Sequence, residues 1–363
     1  MYTKPTLVLD ENKCKANIHK MAAKAAINEV EFRPHFKTHQ SLEIGSWFRE
    51  VGVTKITVSS VDMALYFAQD AWQDITIAFP VNLLEITQIN QLAEQVNLTL
   101  LLEDSDTAKR LDSMLSASVN AFIKINIGNN RAGLEPNDTA TIEAVAKTIS
   151  DCENIHFKGF LGHAGNSYAC RSTEEILEIH RKSIQYLTDL KTRFISTYPD
   201  LQLSVGDTPT CATAEDFSMV DEIRPGVFVF FDAIMLEIGC CQPEEIAAVI
   251  ACPVVAVHPD KKELIIYGGR VHLASDILST ADQKSTYGYL VENNGSTWGS
   301  LRKDIYIKKI SQEHGVVSGP SAFIESVNVG DIVKIVPAHI CTAANMFESY
   351  VTTDQKSIPR FRF

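Results

Sequence analysis

The sequence predicts an α/β fold: a (β/α)8 TIM barrel over residues 11–238, then a mostly β domain over 239–363 that the N-terminal strand within 1–10 joins. Three observations predict it. Short runs rich in β-branched and apolar residues recur eight times before Ile238. Longer amphipathic stretches separate these runs. After about Ile238 this alternation stops and strands follow one another through turns.

The eight runs are Glu31–Lys37, Lys55–Ser60, Asp74–Pro80, Leu98–Leu102, Ala121–Gly128, His156–His163, Leu201–Gly206 and Glu222–Phe230. Val61–Ala71, Leu84–Gln95, Thr139–Ile149 and Glu174–Thr197 are the clearest helical stretches between them. A doubly wound open sheet is the other architecture with this rhythm. It wants a Gly-rich phosphate turn after its first strand, and Lys37-Thr38-His39-Gln40 is not one. After about Ile238, where Pro243, Pro253 and Pro259 punctuate the transition, the expected strands are Cys252–His258, Glu263–Tyr267, Lys303–Ile310 and Asp331–Val336. Thr6–Asp10 is a strand ahead of the first barrel unit.

Composition excludes several function classes. Apolar residues make up 45% and charged residues 21%, as in an ordinary soluble protein. A formal net charge of −12 argues against a nucleic-acid-binding surface, which needs clustered Lys and Arg. No apolar run is long enough for a membrane span, and Met1-Tyr2-Thr3-Lys4-Pro5 lacks the pattern of a secretory signal. The expectation is a cytoplasmic protein with no membrane partner. Its eight cysteines are irregularly spaced without a CxxC pair, so they read as free thiols, and the vicinal Cys240-Cys241 is left without a role.

In a barrel, chemistry gathers at the strand C-termini. Lys37 stands at the end of the first run, where a lysine is placed to form a Schiff base or is simply a surface residue. Asn126 with Arg131, His163, Gly206-Asp207-Thr208 and Arg224-Pro225-Gly226 follow at the other strand ends. Ser204 to Thr210 offers hydroxyls and backbone N–H groups before a helix, either a phosphate cradle or a plain turn. Gly226 would let a phosphate approach the backbone, and Arg224 serves the site or a structural ion pair. His163 stands beside Gly, Asn and Tyr as a structural or a site histidine. His339-Ile340-Cys341 follows an apolar strand. In an extended His-x-Cys both side chains face one way, and imidazole with thiolate suits zinc, leaving positions open for water or a substrate oxygen. An ordinary histidine beside a buried cysteine is the alternative.

These motifs together resemble the D-threonine aldolase and D-serine dehydratase group of fold-type III pyridoxal-phosphate (PLP) enzymes, whose barrel is of the alanine racemase type. The resemblance covers essentially the whole chain. It rests on Arg33-Pro34-His35-Phe36-Lys37-Thr38-His39, His163-Ala164-Gly165-Asn166-Ser167-Tyr168, Thr208-Pro209-Thr210, Glu222-Ile223-Arg224-Pro225-Gly226, Glu313-His314-Gly315 and Pro337-Ala338-His339-Ile340-Cys341. It implies that Lys37 holds PLP covalently, that Arg224 faces the pyridine nitrogen, and that Arg131 lies near the ring. It places Gly206, Asp207, Thr208, Gly226 and Val227 on the phosphate-binding segments. His163 and Tyr168 line the substrate side, and His339 with Cys341 holds a divalent metal, zinc before manganese.

The implied function is a PLP-dependent, metal-assisted lyase for 3-hydroxy-D-amino acids, an aldolase or a dehydratase. Both chemistries act on a β-hydroxyl that a metal can bind. The arginine in Arg-Pro-Gly leans toward aldolase or racemase, and the His-Ala-Gly-x-Ser-Tyr and His-x-Cys segments lean toward dehydratase. An amino-acid racemase is the first alternative. It needs acid/base groups on both ring faces, for which Tyr287 or a partner's tyrosine is available, and no metal. A non-catalytic PLP carrier is the second, and it leaves the β domain unexplained. By resemblance the protein is expected to be a homodimer.

Overall fold

The chain's apolar runs pair as eight parallel strands in a computed structural model that describes residues 2–279 and 285–362. A first strand, β1 (Thr6–Leu9), precedes them. The eight are β2 (Glu31–Phe32), β3 (Lys55–Val58), β4 (Asp74–Pro80), β5 (Asn97–Leu102), β6 (Val119–Ile125), β7 (Ile155–Gly162), β8 (Gln202–Val205) and β9 (Glu222–Ile223). Their order is β2-β9-β8-β7-β6-β5-β4-β3. A parallel bridge between His35 and Thr57 joins the two ends, which makes the sheet a barrel. Ile56, Ile75, Leu100, Phe122, Phe160 and Leu203 are buried in its wall.

Helices alternate with these strands, and their starts are written in the sequence. Ser60, Asp104, Asp138, Ser172 and Asp207 each cap a helix by accepting the backbone N–H three residues on. Such caps satisfy helix donors that have no partner of their own. The helices they open are Val61–Ala68, Ser105–Met114, Thr139–Ser150, Thr173–Phe194 and Thr208–Thr213.

Two barrel strands are shorter than expected, both because of proline. The run Glu31–Lys37 pairs as a strand only to Phe32, since Pro34 has no N–H to give the ladder. The run Glu222–Phe230 stops at Ile223, two residues before Pro225, and continues as a 3-10 turn at Val227–Val229. Lys37 is therefore in a turn that follows the strand.

The remaining strands form antiparallel structure. They are β10 (Ala248–His258), β11 (Glu263–Tyr267), β12 (Leu278–Ser279), β13 (Ser285–Thr286), β14 (Gly288–Asn294), β15 (Thr297–Ile310), β16 (His314–Ser318), β17 (Ile332–Pro337), β18 (Ser349–Thr352) and β19 (Ser357–Pro359). β10, β11, β16, β15, β14 and β17 pair in a closed ring. The first half of β10 pairs with β1 through Ala248–Ala251, and β18 then pairs parallel to β1. The N-terminal strand thus pairs within the sheet of the C-terminal strands. β12 and β13 form a separate two-stranded ladder.

The chain divides into two units, Lys20–Gly226 and a bipartite one made of Met1–His19 with Val227–Arg362. The sequence reading divides it at 238, so the two divisions differ over Val227–Ile238. Ala247 N–H bonds to Phe230 O, Ile234 N–H bonds to Ala338 O, and the Phe230 ring lies 5.5 Å from that of Tyr350. Those contacts bind the segment to the β unit. Among the described residues no helix is long and apolar enough to cross a membrane.

Candidate active site

Within the barrel unit, Lys37 is set by its neighbours. Phe36 is fully buried and packs 4.9–5.1 Å from the rings of Phe48, Phe67 and Trp72. His35 N–H bonds to Pro225 O, Phe36 N–H to Thr57 O, and Thr57 N–H to Pro34 O. The backbone on either side is fixed, and Lys37 lines a cavity of about 370 Å³ at the strand C-termini.

Among the described residues that cavity is lined by Lys37, Lys124, Arg131 and Arg224, by His35 and His163, and by no carboxylate. The charge has consequences. Burial, with Arg224 and Arg131 nearby and the Glu103 carboxylate opposing them, lowers the Lys124 amine to about 7. Its Nζ donates to Ile125 O at 2.7 Å. Burial also drives the His163 imidazole down to about 3, aided by Lys37, Arg224 and Lys124 and opposed by its hydrogen bond to Gly206 O. A carbonyl only accepts, so His163 Nδ1 carries the proton and the neutral ring keeps its lone pair on Nε2. His35 has the opposite tautomer. Its Nδ1 accepts the Lys37 backbone N–H at 3.4 Å, which leaves the proton on Nε2.

The expected phosphate segments meet at the ends of β8 and β9. A Cβ on Gly206 would stand 2.7–2.8 Å from Arg224 Cβ and backbone, so only glycine allows the approach. Thr208 N–H donates to the Tyr168 hydroxyl and Gly226 N–H to Thr208 Oγ1, each at 3.3 Å. Tyr168 therefore stands at this cradle. Asp207 points its carboxylate into the scaffold, where it caps the helix through Thr210 N–H and accepts from the Thr210 and Ser167 hydroxyls. Burial raises it to about 6 against those bonds. Val227 falls in the other unit and is buried. Arg131 is exposed on a loop that Asn126 organises by bonding Gly128, Asn130 and Glu135.

Arg224 is almost wholly buried. Its Nε donates to Ser204 Oγ at 2.5 Å and its Nη2 to Gly162 O at 2.6 Å. An amine among cations, a glycine-lined cradle and no carboxylate suit an anionic aldehyde cofactor. PLP fits these residues.

In the β unit, His339 and Cys341 are in direct side-chain contact. They are not on an extended strand as the sequence reading had them: β17 ends at Pro337, His339 precedes the helix Ile340–Ala344, and Cys341 is in its first turn. Asp232, fully buried, accepts from His339 Nδ1 at 2.9 Å and from the Ile340 N–H at 3.1 Å. A carboxylate holding Nδ1 leaves Nε2 as the nitrogen that would face a metal, its tautomer fixed by that bond. Burial lowers the His339 pKa, but Cys341 and Asp232 outweigh it and raise it well above the ordinary value. Among the described residues no group of three His, Cys, Asp or Glu is set to hold a metal. The donor set fits a soft divalent ion with open positions.

Sequence reasoning missed Lys124, His35 as a ring on the cavity, and Asp232. A lysine inside the apolar run Ala121-Phe122-Ile123-Lys124-Ile125 was the one available signal. Asp232 gives none, being 107 residues from His339.

Residues 9–233 match the family described as "Alanine racemase, N-terminal domain". The chain belongs to that family. Residues 247–353 match a second one, "Putative serine dehydratase domain". Among curated relatives, D-threo-3-hydroxyaspartate dehydratase of Delftia sp. is 28% identical over 95% of this chain and 93% of its own. D-serine dehydratase of Dictyostelium discoideum is 28% identical over 99% and 95%, and D-threonine aldolase of Arthrobacter sp. 24% over 96% and 88%. The solved structure of the Delftia enzyme superposes with a TM-score of 0.91 at 26% identity, covering 100% of this chain and 98% of that one. A Cys-to-Ala variant of the Delftia enzyme is described in a metal-free form.

Proposed function

We propose that this protein is a PLP-dependent, metal-assisted dehydratase of 3-hydroxy-D-amino acids, converting them to a 2-oxo acid and ammonia. The cavity that gathers Lys37 and three further cations without a carboxylate carries this reading. The second domain match and the two dehydratases at 28% identity support dehydration over aldol cleavage.

Bound PLP would supply an electron sink for the substrate α-carbon. The Lys37 amine would hold the cofactor's aldehyde, and it is the cavity's candidate base for a substrate α-proton. Arg224 lines the cavity, and Nη1 is its one nitrogen with no partner among the described residues. A cation there would disfavour protonation of a ring nitrogen set against it and so restrain side reactions. Thr208, Gly226 and Tyr168 bind the phosphate, and Gly206 lets the segments close. His163, neutral at working pH, accepts a hydrogen bond through Nε2 and orients its partner without taking a proton. Arg131 stands at the cavity rim.

His339 and Cys341 would hold the divalent metal, taken here as zinc, which when bound would supply Lewis-acid stabilisation of a hydroxyl oxygen. Asp232 fixes the His339 tautomer for it. The same reading takes the protein to be a cytoplasmic homodimer.

Product analysis by NMR tests it. PLP- and zinc-loaded protein given D-threonine should yield 2-oxobutanoate and ammonia, and D-serine should yield pyruvate. Glycine with acetaldehyde would move the protein to the aldolases. Cα inversion alone would make it a racemase. An intact substrate in every trial would leave a carrier. Metal analysis of His339→Ala and Cys341→Ala should show the bound zinc lost, with PLP content retained.

A further inference from the structure

Arg224 ends a file of hydrogen bonds that runs along the barrel interior. Its Nε donates to Ser204 Oγ at 2.5 Å, and Ser204 Oγ lies 2.6 Å from Glu222 Oε1. The other oxygen of Glu222 accepts from Arg33 Nε at 2.8 Å, and Arg33 Nη1 reaches Asp74 Oδ1 at 2.5 Å. Arg33, Ser204, Glu222 and Arg224 are buried.

The direction of each proton is settled by chemistry. A guanidinium only donates, so the Ser204 oxygen receives from Arg224 and its own hydrogen must point to Glu222. Glu222 is thereby the counter-charge of Arg224 through one hydroxyl and of Arg33 directly. With Nε on Ser204 and Nη2 on Gly162 O, the roll of the planar guanidinium is fixed. No partner for Nη1 is found among the described residues, and Arg224 lines the cavity.

We propose that Ser204 and Glu222 are positioning residues for Arg224. Ser204 sets the roll that turns Nη1 to the cavity. Glu222, clamped by Arg33, balances the buried charge so that the guanidinium stays put while an anionic ligand enters. The inference rests on the PLP reading above.

The test uses the full chain with PLP itself as the probe. Binding is followed by equilibrium dialysis and by the pH dependence of the visible absorption band, which reports protonation of the bound cofactor's imine and so responds to the charge set beside the ring. Ser204→Ala should bind PLP roughly tenfold more weakly, the loss expected for one charge-assisted hydrogen bond, and its band should titrate differently. Ser204→Thr, which keeps the hydroxyl, should restore both. A merely structural Ser204 would lower the melting temperature without moving the band. If Ser204→Ala has no cooperative melt, Ser204→Cys takes its place with the same expectations. A wild-type constant and band in the serine variant overturn the proposal. Wild-type protein that takes up no PLP, or a Lys37→Ala variant with an unchanged band, overturns the cofactor reading instead.

Discussion

The two ends of the barrel are made by the same strands and treat charge in opposite ways. At the strand starts every buried cation meets a carboxylate: Arg33 lies between Asp74 and Glu222, and at the rim Lys55 pairs with Glu31 and Lys191 with Asp221. At the strand ends Lys37, Lys124, Arg131 and Arg224 share a cavity whose lining holds no carboxylate. Charge at the first end is internally compensated and holds strands together. At the second the cavity-lining cations outnumber the carboxylates set against them, Glu222 through Ser204 and Glu103 acting on Lys124, and that excess costs stability in the free protein and is recovered when an anion arrives. The contrast separates scaffold from site without reference to any relative.

That contrast can be broken most sharply at Lys37. Lys37→Ala should lower turnover by on the order of 10²–10⁴ or more while leaving the thermal melt in place, since the amine contacts ligand and not scaffold. Equal losses of activity and melting temperature would blur the two ends. Arg33→Met should do the reverse. It strands Glu222 and Asp74, and urea unfolding should report about 3–5 kcal/mol lost.

The cationic end also predicts an acid sensitivity. The folded His163 pKa, near 3, lies below its ordinary 6.5, so over that window the unfolded chain binds the extra proton. Stability from this group is complete above pH 6.5 and falls as pH drops toward 3. His163→Gln should flatten the pH dependence of the urea midpoint between pH 7 and 4; an identical slope in both proteins would refute the assigned ring. Smallest of all, Lys55→Met should cost at most about 1 kcal/mol, because its pair with Glu31 is partly exposed and screened. High salt should erase even that difference.

Much of this was legible because barrel strands are buried on both faces and write continuous apolar runs, while Ser or Asp caps announce the helices behind them. What was not legible follows from physics as well. Proline truncates Glu31–Lys37 and Glu222–Phe230 as ladder strands, yet their apolar pattern continues past it. Helix Glu11–Ile27 carries too polar a face mixture for the eye, and β14 and β16 sit among turns. Lys37, Arg224, His339 and Cys341 stand in motifs of neighbouring residues, which is why the sequence singles them out. Ser204 and Glu222 lay in the quoted segments, but their bond to Arg224 depends on two strands meeting. Asp232 and Lys124 acquire meaning only when distant segments come together, and no spacing rule reaches that far.

The ordering of strands has a consequence for how the protein is made. The unit Lys20–Gly226 is one uninterrupted stretch, whereas β1 lies between β10 and β18, whose residues begin at Ala248 and Ser349. On the ribosome the barrel's strands are all present once Ile223 has been added. β1, made before any barrel strand, stays unpaired and apolar until its partner residues Ala248–Ala251 follow the completed barrel. It is sheltered only after that whole unit has been synthesised, and a nascent-chain chaperone would find its natural client at Thr6–Leu9.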